Sequence, residues 1–465
     1  MMKRFIIILA AVLCCAEAVQ AQTVSLTLDR CRELALDNDP YLKNAKLDVS
    51  SSRSRRGEAL AEYFPTVSAS VMGFHSLKPM IDLGVTDILG KSDAAWNISN
   101  AWEEFAYSNG LPARYQTLKY GYGTGVSFTQ PLYAGGRIVN GNRLAELGVK
   151  AADLQYGMKE RETFDQVDGK YWTVVSLQEK KKVLASAMEL LDTLRRDVGA
   201  ALSAGLATES DLLQVRLKQS QLKSARLQLD GGLRLAKMDL FNAIGVEYAA
   251  LSSCATPDVP YIDDFVLDSG TGPLESPERF RIPDEEMAAS MEEMQLLEVQ
   301  VEAKRLEKKM VLGETLPQVA FGGGYGYSHH IGEGKFNGTL FAMVSIPLSD
   351  WGKTAGKLQR YGNEVAKAEN ERAYLDSQLL LKARKMWIDL ETSWEQIAVA
   401  GEAAALARDS YARQLASYEA GMSTMSELLQ IQTELQDCED AYAEACIAYR
   451  SGLDSYRRVQ NHPKQ

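Results

Sequence analysis

The sequence predicts a mainly α-helical, internally duplicated chain whose strand hairpins belong to a membrane β-barrel. Three observations lead there. The stretch Leu202–Leu213 (LSAGLATESDLL) has a twin at Tyr418–Leu429 (YEAGMSTMSELL), with Gly205 matching Gly421, Ser210 matching Ser426 and Asp211 matching Glu427. At the same 216-residue offset, Phe128–Leu132 with Gly136 matches Val344–Leu348 with Gly352, so Pro131 pairs with Pro347. No proline lies between Pro131 and Pro257, and none between Pro347 and Pro463. These gaps leave room for very long helices, which proline would break. Two landmarks at one offset mark an internal repeat, which decides how the rest of the chain is read.

The chain begins with a secretory pattern. Lys3-Arg4, an apolar run from Phe5 to Leu13 and the small-residue site ending at Ala21 read as a signal peptide over residues 1–21, with the mature chain starting at Gln22. The bulky Leu13 before Cys14 argues against a lipid-modified cysteine. The first repeat is assigned to 22–245. Thr27 caps a helix that is interrupted at Asp39-Pro40 and ended by Phe64-Pro65. Strands follow at 66–76 and 120–130, separated by an insertion from Lys78 to Lys119 that reads as an exposed loop. A helix then runs from Arg137 to Gly199, about 95 Å if continuous, with Leu184, Met188, Leu191 and Val198 at coiled-coil spacing. After the tip around Gly205, a helix from Leu212 to Ile244 returns and is stopped by Gly245.

Residues 246–283 hold five prolines and read as an irregular strap across the helices, a linker or equatorial segment. The second repeat, 284–461, restates the first. Its helix ends at Leu316-Pro317, its strands lie at 319–328 and 336–346, and a second long helical hairpin turns at Gly421 and ends at Asn461. A tail, 462–465, follows.

The net charge of −11 argues against nucleic acid as a partner. After signal removal four cysteines remain: Cys31, Cys254, Cys438 and Cys446. Cys438 and Cys446 are eight residues apart, about 12 Å along a helix, too far to bridge. There is no zinc spacing. The adjacent His329 and His330 read as part of a solvated turn in preference to a metal pair. Gly322-Gly323-Gly324 follows no strand-to-helix turn and reads as the small face of a strand. Nothing in the sequence supports an enzyme, a metal or a cofactor.

The strands carry bulky residues on one face, Tyr120, Tyr122, Val126 and Phe128, and Gly, Ser and Thr on the other. A soluble sandwich and a lipid-facing barrel both fit this alternation. Strand lengths of about 10 residues and tyrosines near strand ends favour the barrel. Four strands do not close a barrel, for which about eight are needed. Several copies must therefore share one: two copies give eight strands and three give twelve, under cyclic symmetry.

The chain resembles the TolC family of outer-membrane efflux proteins. The likeness rests on Leu26-Thr27-Leu28 leading to Glu33-Leu34-Ala35-Leu36 and Asp39-Pro40, on both Pro-Leu-x-x-x-Gly strand-to-helix junctions (Pro131 to Gly136, Pro347 to Gly352) and on both tips. It implies a homotrimer, with a twelve-stranded barrel in outer-membrane lipid, four strands per protomer, continued by a helical coiled-coil tunnel in the periplasm. It also implies a periplasmic adaptor (membrane fusion) protein and an inner-membrane transporter of the RND or ABC type as partners. The resemblance carries a periplasmic gate onto Tyr418, Glu427 and Asp211. Here the family's arginine position is Ser423 and its second acidic position Gln430, a departure that weakens or alters the closing ion pairs. The competing reading makes Asp211 and Glu427 helix-start acids favoured by the dipole. Two other functions stay open: the exit duct of a type I protein secretion system, and a periplasmic coiled-coil scaffold without a channel.

Overall fold

A computed structural model describes residues 24–251, 254, 256, 259–270, 273–329 and 334–460. The signal segment with its cleavage site, Gln22, His330, Asn461, His462 and the tail lie outside the described residues. The chain divides into two compact units, one of residues up to 50, 151–298 and 370 onward, the other of 51–150 and 299–369.

The first unit is helical. Strand β1 (Val24–Leu26) leads into α1 (Leu28–Asn38), whose N-cap Thr27 accepts a hydrogen bond from Arg30 N. Asp39 ends α1 and Pro40 opens α2 (Pro40–Ala61), the first-turn position where proline's missing N–H costs nothing. The long helices are α5 (Arg137–Ser203) and α6 (Glu209–Ile244) in one half, and α9 (Lys353–Glu419) and α10 (Met425–Gln460) in the other. Each half has one helix of 67 residues and one of 36. Gly245 stops α6 in the left-handed region at φ 71°, as its position predicts. The second repeat's helix leading to Leu316-Pro317 is two helices, α7 (Asp284–Ser290) and α8 (Glu292–Gly313), broken at Met291, whose side chain is buried.

Among the described residues, buried apolar side chains form three clusters. One surrounds Tyr171, with Val167, Val174, Leu240, Phe241 and Ile262. One surrounds Trp387, with Met287, Leu390, Tyr449 and Tyr456. The third fills the helical tips. The strap is more ordered than its composition suggests. Its strand β6 (Phe265–Leu267) pairs in parallel with β1, and Ile262, Phe265 and Leu267 are core residues. Gln178 seals the edge of β6, donating from Nε2 to Leu267 O at 3.0 Å and accepting from Leu267 N at 3.1 Å. The buried Lys237 ammonium donates to Phe265 O at 2.6 Å and Ile262 O at 3.2 Å, and burial lowers its pKa. Among the described residues no disulfide joins Cys31, Cys254, Cys438 or Cys446. Burial beside the Asp168 carboxylate pushes the Cys31 thiol up to about 12, so it stays protonated and inert.

The second unit holds a four-stranded antiparallel sheet in the order β2-β5-β7-β8, formed by β2 (Thr66–His75), β5 (Tyr120–Ala134), β7 (Gln318–His329) and β8 (Lys335–Ser345). Two sequence expectations need correction here. Pro131 is not at the strand-to-helix junction. β5 runs through it to Ala134, and a bulge between Pro131 and Tyr133 absorbs the residue that cannot donate to the ladder. The turn into α5 falls at Gly135 and Gly136, at φ 64° and 76°. Pro347 does lie beyond its strand, and the matching turn is Trp351 and Gly352, at φ 55° and 81°. Second, the insertion is a folded element and not a loop. Strands β3 (Ile81–Leu83) and β4 (Tyr115–Thr117) extend the β2–β5 hairpin and carry α3 (Val85–Leu89) and α4 (Asp93–Ser108) between them. Arg114 fastens it, with Nε on Asp82 at 2.7 Å and an Nη on Asp87 at 2.8 Å.

Candidate channel tip and membrane sheet

The two tips are built alike. α5 ends at Ser203, and Gly205 at φ 75° turns the chain so that Leu206 N reaches Ala201 O at 2.8 Å. α9 ends at Glu419, and Gly421 at φ 70° lets Met422 N reach Ser417 O at 2.8 Å. The left-handed backbone alone selects glycine at both places, since an added Cβ would meet nothing.

Each return helix opens on a capping box. Asp211 N donates to Thr208 Oγ1 at 3.2 Å, and Thr208 N donates to Asp211 Oδ2 at 3.0 Å. Glu427 N donates to Thr424 Oγ1 at 3.3 Å, and Thr424 N donates to Glu427 Oε2 at 3.0 Å. The two acids that the sequence singles out are thus capping residues, and their threonine partners were passed over. The signal was present as Thr-x-x-Asp and Thr-x-x-Glu just after each tip glycine.

The fold brings Tyr418 and Asp211 together. Tyr418 is half-buried in the tip cluster, and burial together with the nearby Asp211 carboxylate raises its phenol pKa. Leu191, Val198, Val215, Tyr411, Met425 and Leu428 pack beneath them, and Lys218 Nζ ties α6 to α10 through Thr433 Oγ1 at 2.7 Å. Gln430 does not join Glu427. It donates to Glu434 at 3.2 Å along its own helix. The half-buried Ser423 hydroxyl has no hydrogen-bond partner among the described residues.

The sheet has two unlike faces. The registers place Val67, Val71, Tyr120, Tyr122, Val126, Phe128, Phe321, Tyr325, Tyr327, Phe336, Leu340 and Val344 on one face. Val71, Tyr325, Phe336 and Leu340 are among the large apolar side chains left exposed there. The other face carries Ser68, Gly123, Gly125, Ser127, Gly322, Gly324, Gly326 and Thr339, with Ser68 and Ser127 hydroxyls 3.0 Å apart. At one end of the bulky face His329 stacks on Tyr122 at 5.3 Å and Tyr120 at 6.0 Å, so its ring belongs to an aromatic cluster. The outer edges of β2 and β8 have no strand partner among the described residues. No helix among the described residues is long and apolar enough to cross a membrane.

The sequence matches the outer membrane efflux protein family over residues 104–246 and 285–459, more than half of the chain. The chain belongs to that family. Its place is the outer membrane, and the family is one of transport channels and not of enzymes. The fold agrees with solved structures. VceC of Vibrio cholerae superposes with a TM-score of 0.71 at 13% identity, covering 94% of this chain and 97% of that one. The CmeC outer membrane channel of Campylobacter jejuni gives 0.70 at 13% identity, covering 93% and 85%. The MtrE outer membrane channel of Neisseria gonorrhoeae, described in an open state, gives 0.66 at 12% identity, covering 93% and 88%. Comparison with curated protein sequences finds no match.

Proposed function

We propose that this chain is the exit duct of a tripartite efflux pump, passing small molecules delivered by an inner-membrane RND or ABC transporter through a periplasmic adaptor. One observation carries the reading. A sheet of four strands exposes an apolar face and leaves both edges without a strand partner among the described residues, in a chain of the outer membrane efflux protein family. In lipid an open edge strands unsatisfied N–H and C=O groups. Closure by three copies gives a twelve-stranded barrel with the bulky face outward and the Gly/Ser/Thr face lining the lumen. About twelve strands leave room for a pore, where about eight would fill with side chains. The helical hairpins then form the periplasmic tunnel, whose far end carries the tip residues Asp211, Tyr418 and Glu427.

The test joins two measurements on the full-length protein. Light scattering in detergent is expected to give the mass of three chains. Reconstitution into planar bilayers is expected to give discrete conductance steps. A chain that stays monomeric in detergent and conducts nothing overturns the reading in favour of a scaffold.

A further inference from the structure

The halves of the sheet are related closely enough to fix how one copy meets the next. First-half strand β5 corresponds to second-half β8 by the 216-residue offset of Pro131 and Pro347, and β2 corresponds to β7 by the 252-residue offset of Pro65 and Pro317. The two hairpins obey both offsets residue for residue. Thr66 pairs with Thr129 in the first, and their counterparts Gln318 and Ser345 pair in the second. The remaining junction within the chain, β5 to β7, joins first half to second. Its counterpart is a junction of β8 with β2, and these are the two open edges.

We infer that β8 of each copy pairs antiparallel with β2 of the neighbouring copy in one stated register: Ser345 opposite Ser70, Met343 opposite Met72, Phe341 opposite Phe74, and Ala342 opposite Gly73. This deepens the shared-barrel reading and rests on it. The pairs follow by shifting Thr129–Gly322, Ser127–Gly324, Gly125–Gly326 and Val126–Tyr325 of the β5–β7 ladder by the two offsets.

An independent pattern supports this register. The small face is otherwise Gly, Ala, Ser, Thr, Asn, one Lys, one Gln and one Pro, yet it carries four large apolar residues: Met72, Phe74, Phe341 and Met343. All four lie on the two edge strands. The offsets, set by the two proline pairs and not by these four residues, place phenylalanine opposite phenylalanine and methionine opposite methionine. A slip of one residue would turn each strand's bulky set to the wrong face, and a slip of two would keep a single apolar pair, Met343–Phe74 or Phe341–Met72 by its direction, and set the other two residues opposite Ser or Thr. Met72, Phe341 and Met343 are each more than 40% exposed in the single chain, with Phe341 lowest at 43%. At the seam each gains a partner of its own kind, so the small face acquires one apolar stripe per junction. Cross-strand aromatic and apolar pairs of this kind are the units that pin a register.

Cysteine pairs test it in the full-length protein. Ser70→Cys with Ser345→Cys changes each side chain by one atom, and mild oxidation is expected to yield covalent three-chain rings on a non-reducing gel. Ser68→Cys with Ser345→Cys, two residues out of register, is expected to link several-fold less, and the parent chain serves as the background for its own four thiols. Gly73→Cys with Ala342→Cys repeats the test on the opposite face. Trimers by light scattering that link through Ser68 and not Ser70 overturn the register and leave the duct standing. A protein that is monomeric by light scattering overturns both.

Discussion

The two halves of the chain solve one packing problem with opposite charges. In the first half Arg32 on α1 reaches Asp168 on α5, with Nε–Oδ1 at 2.9 Å and a second bond at 2.6 Å. Shifting Arg32 by the 252-residue offset and Asp168 by the 216-residue offset gives Asp284 and Arg384. Asp284 on α7 accepts from Arg384 Nε on α9 at 2.9 Å. The link between short helix and long helix is kept and its polarity is reversed. Burial separates them. The Asp168 side chain is 5% exposed, whereas Arg384 is 57% exposed. Asp168 also receives Arg458 from α10, which bonds Asp165 at 2.8 Å, so it serves both halves at once. The neighbouring cores correspond as well. Tyr171 of the first matches Trp387 of the second, and Leu240 matches Tyr456. A repeat can thus conserve the place of a contact while exchanging its chemistry.

Removing the charge at the two places should therefore cost very different amounts. Asp168→Asn leaves two guanidinium groups facing an uncharged partner in a buried site, and breaking a buried pair in this way costs about 3–5 kcal/mol. Arg384→Gln removes an exposed pair and should cost no more than about 1 kcal/mol. Urea unfolding followed by circular dichroism checks both. Equal costs would mean that burial is not what distinguishes the halves.

A second contrast lies at the strand-to-helix turns. Gly135 and Trp351 occupy the same place, both with left-handed backbone. Gly135 lies against the backbone of Gly313, and a Cβ built there overlaps the Gly313 carbonyl. Gly135→Ala adds left-handed strain to overpacking and should cost about 2–3 kcal/mol. Trp351 is 97% exposed while holding φ at 55°. Trp351→Gly should stabilise the isolated chain by about 1 kcal/mol from relief of that strain. Comparison of unfolding midpoints reads both signs. A loss of stability in Trp351→Gly would show that the indole is held by a contact made only in the assembly.

Legibility in the sequence followed the range of the interaction. Helix starts and stops depend on residues three or four apart, so Thr27, Asp39-Pro40, Gly205, Gly245 and Gly421 were all readable. The strands β7 and β8 were readable because alternation is local. Pro131 reads as the end of its strand because a bulge depends on the partner strand, which the proline itself does not reveal. The insertion reads as a loop because what folds it, Arg114 on Asp82 and Asp87, joins residues 32 and 27 positions apart. The charge-reversed pairs stayed hidden for the same reason, since each joins residues at least 100 positions apart.

The smallest expected effect on stability separates two roles at the tips. Asp211 and Glu427 occupy matching capping positions, so a structural role predicts matching behaviour. Glutamine also completes a capping box, accepting the same backbone bond with a neutral oxygen. Glu427→Gln should therefore leave the fold nearly untouched, at a cost of about 0.5 kcal/mol or less from the lost charge at the helix N-terminus. Glu427 is exposed at its tip and Gln430 is turned toward Glu434, so in a trimer the second tips would present a single ring of three carboxylates. Such a ring in a narrow aqueous mouth concentrates cations. If it gates, Glu427→Gln lowers cation selectivity and relieves block by multivalent cations in planar bilayers, with unfolding unchanged. Asp211→Asn supplies the comparison: its carboxylate lies beside Tyr418 and is half-buried, so it should alter selectivity less. Unchanged selectivity in Glu427→Gln would leave that residue a helix cap like its twin, and would put the narrowest charged point of the pore elsewhere.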